Sequence, residues 1–165
     1  MPARTLISVE EYLRTSYRPD CDYVDGEVVE RNFGEWDHAR LQGRILVYLA
    51  RFEKNGFIAV PEQRVQVKPS RFRIPDICVV LSDPGEKILT KPPFICIEVL
   101  SSEDRMSRVL VRAKDYLDMG VPYVWILDPE TKQALAATAE GLIEAKGVLT
   151  AENPRLELPL NEVFS

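Results

Sequence analysis

Two short apolar runs, each carrying one acidic residue, constrain the fold of this chain more than any other feature. Residues 73–81 form the first run, with Asp76 near its start, and residues 94–100 form the second, with Glu98 inside it. Both runs are rich in β-branched residues and are bounded by prolines or polar turns, which is typical of strands buried on both faces of a mixed sheet. The sequence therefore predicts two neighbouring core strands that bring Asp76 and Glu98 close together.

An ionised carboxylate is unfavourable among core strands. Burial without a partner costs roughly several kcal/mol, so an acid at such a position indicates a compensating cation. That cation can be a basic side chain or a metal, and a divalent ion between two adjacent acids would also relieve their repulsion. The alternative is that Asp76 and Glu98 each lie at a strand end, facing water or an arginine.

Short motifs surround these acids. Pro75-Asp76 followed by Glu98 resembles the Pro-Asp…(Asp/Glu)-x-Lys signature of the PD-(D/E)XK nuclease superfamily. The other motifs are Tyr23-Val24-Asp25-Gly26-Glu27, His38 opening an apolar helix, Ser101-Ser102, and Gly120-Val121-Pro122-Tyr123. Together they resemble the Uma-type family of bacterial proteins, described as putative restriction endonucleases, over about residues 8–128 and more loosely to the end.

The resemblance implies a fold and an activity. The fold is α/β, with a restriction-endonuclease-like mixed β-sheet core flanked by helices and preceded by an N-terminal helix and hairpin. We expect residues 1–165 to form one such domain. The implied function is a Mg²⁺-dependent DNA endonuclease that hydrolyses phosphodiester bonds, with Mn²⁺ as a possible substitute and DNA as the substrate. A homodimer is expected because duplex cleavage commonly uses two sites.

The resemblance also assigns roles to individual residues. Asp76, Glu98 and the backbone carbonyl of Val99 match the metal ligands of the superfamily. Glu27, just past the predicted Asp-Gly turn, matches an acid that points towards the metal in the family. His38 matches a histidine that lies near the active site. From the residues alone, Glu27 could equally face outwards on its hairpin, and His38 could be a surface residue of its helix.

The sequence departs from the superfamily at the third motif, because Leu100 stands where lysine is expected. In the Uma-type family the basic residue often lies in the following helix, four residues before a tyrosine. Counting back from Tyr116 gives Arg112, which can stabilise developing charge but is a poor proton acceptor. Lys114 is the nearest lysine, and helical geometry places it on the opposite flank. Arg112 is therefore the first catalytic candidate and Lys114 the second.

Two other functions stay open because of Leu100. The first is a catalytically impaired module of the same fold that binds nucleic acid or a protein partner. The second is a metal-dependent hydrolase that acts on another phosphate ester. A plasmid-nicking assay distinguishes them from the endonuclease.

The charge of the chain argues against non-specific coating of nucleic acid. The net charge is −5 and the isoelectric point is near 5.1, whereas backbone affinity comes mainly from lysine and arginine. Local basic groups occur on both sides of the candidate acids and could contact phosphate or form ordinary solvated faces. They are Arg64, Lys68, Arg71 and Arg73, and Arg105, Arg108, Arg112 and Lys114.

Length and composition place the chain among ordinary globular proteins. It has 165 residues, of which 45% are hydrophobic, which is enough to build a core without disulfides or a structural metal. No apolar run is long enough to span a bilayer and the N-terminus lacks a signal-peptide pattern, so we expect no membrane association and a cytoplasmic location. Cys21, Cys78 and Cys96 have no metal-site spacing and are predicted to be reduced core residues.

Local patterns predict the remaining elements. Ser8 should cap a short helix that ends near Thr15, and a hairpin should turn at Asp25-Gly26. Asp37 should cap a helix that Asn55-Gly56 ends. A further helix should follow residues 101–104, close at Gly120, and connect the Glu98 strand to a parallel strand at residues 123–127. Its predicted apolar face comprises Met106, Val109, Leu110, Ala113 and Leu117.

Overall fold

The computed structural model of the chain describes residues 4–31 and 34–164. The helices are α1 (Val9–Arg14), α2 (Trp36–Ala50), α3 (Met106–Met119) and α4 (Leu160–Val163), with a 3-10 turn at Glu53–Asn55. The strands are β1 (Asp22–Val24), β2 (Glu27–Val29), β3 (Ile58–Pro61), β4 (Val65–Lys68), β5 (Arg71–Arg73), β6 (Ile77–Val80), β7 (Ile95–Val99), β8 (Tyr123–Asp128), β9 (Gln133–Thr138), β10 (Gly141–Glu144), β11 (Val148–Ala151) and β12 (Leu156–Pro159).

A six-stranded mixed sheet forms the centre of the molecule, in the order β10-β9-β8-β7-β6-β3. Only β7 and β8 run parallel within it, and α3 connects them as the predicted crossover. The strands β6 and β7 pair directly and antiparallel, with Ile77 opposite Ile97. One further step of this register sets Asp76 opposite Glu98. The predicted juxtaposition of the two acids is therefore confirmed.

Helices cover both faces of this sheet. Successive residues of a strand point to opposite faces, so neighbouring residues of β7 pack against different helices. Ile97 and Val99 belong to the core that contains Leu41 and Ile45 of α2. Cys96 belongs to the core that contains Val109, Ala113 and Tyr116 of α3. The alternation directs the side chain of Glu98 towards α3. This mixed sheet between helices confirms the predicted α/β fold.

The run of residues 73–81 is divided between two sheets, whereas the sequence predicted one strand. Arg73 ends β5, which belongs to a four-stranded sheet of order β2-β1-β5-β4. Pro75 has no backbone N–H to donate, so the ladder is interrupted before β6 begins at Ile77. Asp76 consequently lies at the junction where the chain passes from one sheet to the other.

The N-terminal predictions are confirmed. The side chain of Ser8 accepts a hydrogen bond from the backbone N–H of Glu11 at 3.1 Å and so caps α1. Asp25 and Gly26 form the two-residue turn between β1 and β2, with φ of 49° and 98°. Positive φ at both positions is what a type I′ hairpin turn requires, and the Asp-Gly pair is suited to it.

Both long helices differ in detail from their predictions. Glu35, and not Asp37, occupies the N-cap of α2, and no side chain caps that end. The helix stops at Ala50, before the 3-10 turn that Gly56 closes. In α3, Met106 and Leu110 are about two-fifths exposed, while Tyr116 is fully buried. The buried stripe is rotated because Val109, Ala113 and Tyr116 pack on the sheet at helical spacing.

The C-terminal residues extend the core. β11 and β12 form an antiparallel hairpin that α4 follows. Leu149 and Leu158 of this hairpin join the α2 side of the core. All three cysteines are buried and free of disulfides, as expected. Within the residues that the structure describes, no helix has the length and hydropathy to cross a membrane.

Candidate active site

A cavity of about 670 Å³ lies where β6 begins and β7 ends. Its walls include Asp76, Glu98 and Val99 from the central sheet, with His38 from α2 and Arg112 from α3. The volume lies in the range of typical ligand pockets. The chain thus brings five of its six candidate catalytic side chains, Asp76, Glu98, His38, Arg112 and Glu27, to one cavity.

Asp76 is almost fully buried and is held by three donors. Its Oδ1 accepts from Arg31 Nη2 at 2.9 Å and lies 3.3 Å from His38 Nε2. Its Oδ2 accepts from the backbone N–H of Val99 at 2.7 Å. Burial alone would raise the pKa of Asp76, but the hydrogen bonds and charges of His38, Arg31 and Val99 together lower it below its ordinary value. Asp76 is therefore a carboxylate at neutral pH.

Glu98 is equally buried but is held less strongly. The Tyr116 hydroxyl donates to Oε1 at 2.7 Å, and Arg112 Nε lies 3.5 Å from Oε2. Burial raises the pKa of Glu98 to about 7, and the neighbouring Asp76 charge adds to the increase, whereas Arg112 opposes it. The two acids thus titrate apart, and Glu98 exchanges its proton near neutral pH.

Arg112 bridges two acids at the wall of the cavity. Its Nη2 lies 3.4 Å from Asp104 Oδ1, while its Nε faces Glu98. Burial lowers the pKa of Arg112, but the charges of Glu98 and Asp104 outweigh that effect and raise it. The guanidinium therefore keeps its positive charge at every accessible pH. It is placed to act on an anion that enters the cavity.

Two residues of α2 reach Asp76 from one side of the helix. His38 contacts the carboxylate, and Gln42 Nε2 donates to the backbone carbonyl of Asp76 at 2.8 Å. Their spacing of four residues puts both side chains on the same face. Burial lowers the pKa of His38, but the hydrogen bond and charge of Asp76 outweigh it and raise the pKa above its ordinary value. His38 thus lies near the acids, as predicted, while its catalytic role stays a prediction.

The other two candidates form ion pairs with residues other than the two acids. Glu27 lines the same cavity, where its carboxylate pairs with Arg4 at 2.8 Å, and its role stays a prediction. Lys114 lines no part of the cavity: its side chain is 73% exposed and its Nζ pairs with Asp118 at 2.9 Å. Lys114 therefore lies on the flank of α3 opposite Arg112, as predicted, and the structure does not bring it to the site.

Sequence reasoning missed Arg31 and the contact of Tyr116. Arg31 follows β2 in a segment without regular structure, and no local pattern points to its contact with Asp76. Tyr116 carried a usable signal, because it lies one helical turn beyond Arg112 on the face that reaches Glu98. The sequence pattern used Tyr116 only to locate Arg112, four residues earlier.

A buried ion-pair network forms part of the cavity wall, since Asp22 and Arg73 line the cavity. Arg73 donates from Nε to Asp115 at 2.8 Å and from Nη1 to Asp22 at 3.2 Å. Arg71 Nη1 also bonds Asp115, at 2.8 Å, and Arg71 Nη2 pairs with Asp25. Arg71 and Arg73 of the first basic group thus neutralise acids of this protein, and contact of that group with phosphate stays a prediction.

The donor set fits a hard divalent cation. Within residues 4–31 and 34–164, no cluster of three or more His, Cys, Asp or Glu side chains is arranged to hold a metal. Mg²⁺, however, is usually bound by one or two carboxylates together with waters and substrate phosphates. Asp76 and Glu98 meet that requirement. Because their oxygens also accept from Arg31, His38 and Tyr116, metal and protein donors would compete for them.

Glu98 should make stability depend on pH. Since its pKa is raised to about 7, the folded chain keeps this proton at mildly acidic pH, where the unfolded chain releases it. The contribution of Glu98 to the free energy of unfolding therefore falls as pH rises towards 7. We expect the wild type to lose more stability than Glu98→Gln between about pH 5 and about pH 8, measured by urea denaturation with EDTA present. If the free energy of unfolding of the two proteins changed equally with pH, this expectation would be contradicted.

Comparison with known proteins identifies the family. The family model Uma2, described as "Putative restriction endonuclease", matches residues 9–164. The crystal structure of a putative nuclease belonging to DUF820 from Anabaena variabilis ATCC 29413 superposes with a TM-score of 0.80. It is 19% identical, and the alignment covers 96% of this chain and 97% of that chain, so the likeness establishes the fold. A comparison with curated proteins finds no match. Because the family model spans almost the whole sequence, this protein belongs to the Uma2 family.

Proposed function

We propose that this protein is a Mg²⁺-dependent DNA endonuclease that hydrolyses phosphodiester bonds. The observation that supports it most is the convergence of Asp76, Glu98 and Arg112 in one cavity, two buried carboxylates beside a permanent cation. The description of the Uma2 family agrees with this chemistry. Mn²⁺ can replace Mg²⁺ at such an oxygen site, and a homodimer would supply the two sites that duplex cleavage commonly uses.

The metal would be held by Asp76, Glu98 and the backbone carbonyl of Val99. When bound, it would activate a water molecule and neutralise charge at the scissile phosphate. The remaining tasks fall to the side chains. Arg31 and His38 orient Asp76, while Tyr116 orients Glu98. Arg112 faces the anion and stabilises the charge that develops on it.

The proton acceptor differs from that of the superfamily pattern. Among the described residues that line the cavity there is no lysine, and Leu100 replaces the lysine of the motif. Arginine cannot take a proton at accessible pH. Glu98 would be a ligand of the metal, which holds it as a carboxylate without a proton. We assign proton transfer to His38, which contacts Asp76, or to water bound beside it.

Metal binding can be tested directly. Titration of Mn²⁺ into the wild type, followed by calorimetry, should show one site that Asp76→Asn lacks, because the amide cannot supply the anionic ligand. Glu140→Gln is the control, since Glu140 is exposed and lines no part of the cavity, and it should bind as the wild type does. Equal binding by the wild type and Asp76→Asn would refute the site.

Cleavage is tested on supercoiled plasmid DNA. Wild-type protein should nick the plasmid with Mg²⁺ or Mn²⁺ and lose that activity with EDTA, and Glu98→Gln should be inactive under both conditions. Glu140→Gln again serves as the control that keeps activity.

A catalytically impaired module is the second candidate. Leu100 favours it, as does the occupation of both Asp76 oxygens by protein donors. A wild-type protein that binds DNA but leaves the plasmid intact with either metal would establish this alternative.

A further inference from the structure

The outer face of α2 carries an exposed groove of about 440 Å³. Trp36 forms one end with 75% of its surface exposed, and Val47 lies further along with 70% exposed. Between them, Gly43 leaves the floor open, because a Cβ built there would have no neighbour within 4 Å. Tryptophan is rarely so exposed, and an exposed aromatic beside an apolar residue commonly marks a binding surface.

The groove is positively charged although the protein is acidic overall. Arg40, Arg44 and Arg51 line it, and Arg40 and Arg51 are exposed. One acid, Glu162 of α4, lies among the described lining residues. In a chain of net charge −5, this concentration of arginine on one helix favours an anionic partner.

The groove adjoins the candidate active site. Ala39 lines both the groove and the 670 Å³ cavity. The residues on either side of Ala39 in the sequence line different spaces: His38 lines the cavity and Arg40 lines the groove. A polyanion that places one phosphate beside Asp76 and Glu98 can therefore continue past Ala39 onto the outer face of α2.

We propose that this groove binds the nucleic-acid strand as it leaves the cavity, with an unpaired base stacked on Trp36 and phosphates paired with Arg40 and Arg51. This inference rests on the proposed nuclease function and deepens it, because it names a single-stranded or locally unpaired segment as part of the substrate. An indole can stack only on a base whose face is free, and such stacking is independent of base identity. Arginines beside an aromatic residue are the usual composition of single-strand binding grooves.

Charge opposes a second copy of the chain as the occupant. In a two-fold symmetric dimer through this face, the same patch of both subunits would meet. Arg40, Arg44 and Arg51 of each copy would then approach their counterparts, with Glu162 as the acid that each groove contributes. A nucleic-acid backbone satisfies the same arginines without that repulsion.

Intrinsic fluorescence provides the test, because the chain has two tryptophans in opposite environments. Trp36 is 75% exposed and Trp125 is 1% exposed, so a base that stacks in the groove can quench only Trp36. A single-stranded oligonucleotide, titrated with EDTA present to prevent cleavage, should quench the wild type and leave the emission of Trp36→Phe unchanged. The buried Trp125 signal reports that the variant is folded.

Affinity and salt dependence complete the test with a labelled oligonucleotide. Loss of one stacked base in Trp36→Ala should weaken binding about 5- to 150-fold. Arg40→Gln/Arg51→Gln should lower the slope of log K against log salt by about 1.4, since each phosphate contact to a single strand contributes about 0.7. Lys132→Gln, an exposed cation that lines neither the groove nor the cavity, should change neither quantity.

Three results would overturn the inference. They are oligonucleotide binding without quenching of Trp36, unchanged affinity in Trp36→Ala, and a dimer in sedimentation that Trp36→Ala dissociates while the oligonucleotide does not bind. Failure of this inference is distinct from failure of the nuclease function, because every measurement is made without metal. Plasmid nicking by a protein that shows no quenching would refute the groove alone. Quenching without nicking would support the groove and refute the nuclease.

Discussion

Replacing Arg112 with alanine should slow Mg²⁺-dependent cleavage by about 10²–10³. Arg112 is the permanent cation closest to Glu98, and it would face the charge that develops on the phosphate. A donor that acts mainly in the transition state changes the rate far more than it changes ground-state binding. We therefore expect little change in Mn²⁺ affinity, measured by calorimetry at a pH above 8.

The high pH is needed because Arg112 also influences Glu98. Its charge lowers the pKa of that acid, so Arg112→Ala should raise the pKa of Glu98 further. Activity in the variant should then recover partly as pH increases, whereas the loss of charge stabilisation should persist at every pH. Comparing pH–rate profiles of the two proteins separates these effects.

Lys114→Ala is the matched control for this experiment. Lys114 lies on the same helix but points into solvent and pairs with Asp118, so cleavage should change little. The opposite ranking, with Lys114→Ala slower than Arg112→Ala on the same supercoiled substrate, would show that the lysine and not the arginine serves the reaction.

Replacing Arg73 with methionine should destabilise the fold by about 3–5 kcal/mol. The Arg73 side chain is almost fully buried and bonds two buried carboxylates, those of Asp22 and Asp115. Methionine fills similar space but leaves Asp22 without its cation, and Asp115 then depends on Arg71 alone. Burial already raises the pKa of Asp22, which indicates that its charge is poorly compensated even with Arg73 present.

Urea denaturation measures this loss as the change in the unfolding midpoint at constant slope. Arg155→Met is the control, because Arg155 is 58% exposed and its ion pairs lie at the surface, where such pairs contribute about 0–1 kcal/mol. A second variant, Arg73→Met/Asp22→Asn, should recover part of the stability by removing the uncompensated charge. A loss below about 1 kcal/mol in Arg73→Met would show that the network contributes little.

Features that depend on local pattern could be predicted from the sequence. Continuous apolar runs rich in β-branched residues located β6, β7 and β8, and the loop between β6 and β7 allowed these two strands to pair, so Asp76 and Glu98 became neighbours. The Asp25-Gly26 turn followed from the positive φ that both positions require. The helical spacing of Arg112 and Lys114 placed them on different flanks of α3 before any contact was known.

Features that depend on tertiary contact could not be predicted. Arg31 reaches Asp76 across 45 positions of sequence from an irregular segment, and Arg73 reaches Asp115 across 42. The buried stripe of α3 is set by its packing on the sheet, which favoured Tyr116 over Met106 and Leu110. The break at Pro75 was visible in the sequence, but proline also occurs at the first residue of strands, so it did not predict a change of sheet.

The hydrogen bond from the Val99 amide to Asp76 bears on how relatives of this protein can lose activity. At that point a side-chain carboxylate accepts from the backbone of the neighbouring strand, so Asp76 is part of the architecture of the sheet as well as of the site. A descendant that abandoned catalysis would still need an acceptor there, because an unpaired buried amide costs about 1–3 kcal/mol. Glu98 contacts side chains, those of Tyr116 and Arg112, which substitution can change together with it, and its burial makes the charged form unfavourable. In a comparison of homologues, retention of Glu98 is therefore a better mark of an active enzyme than retention of Asp76.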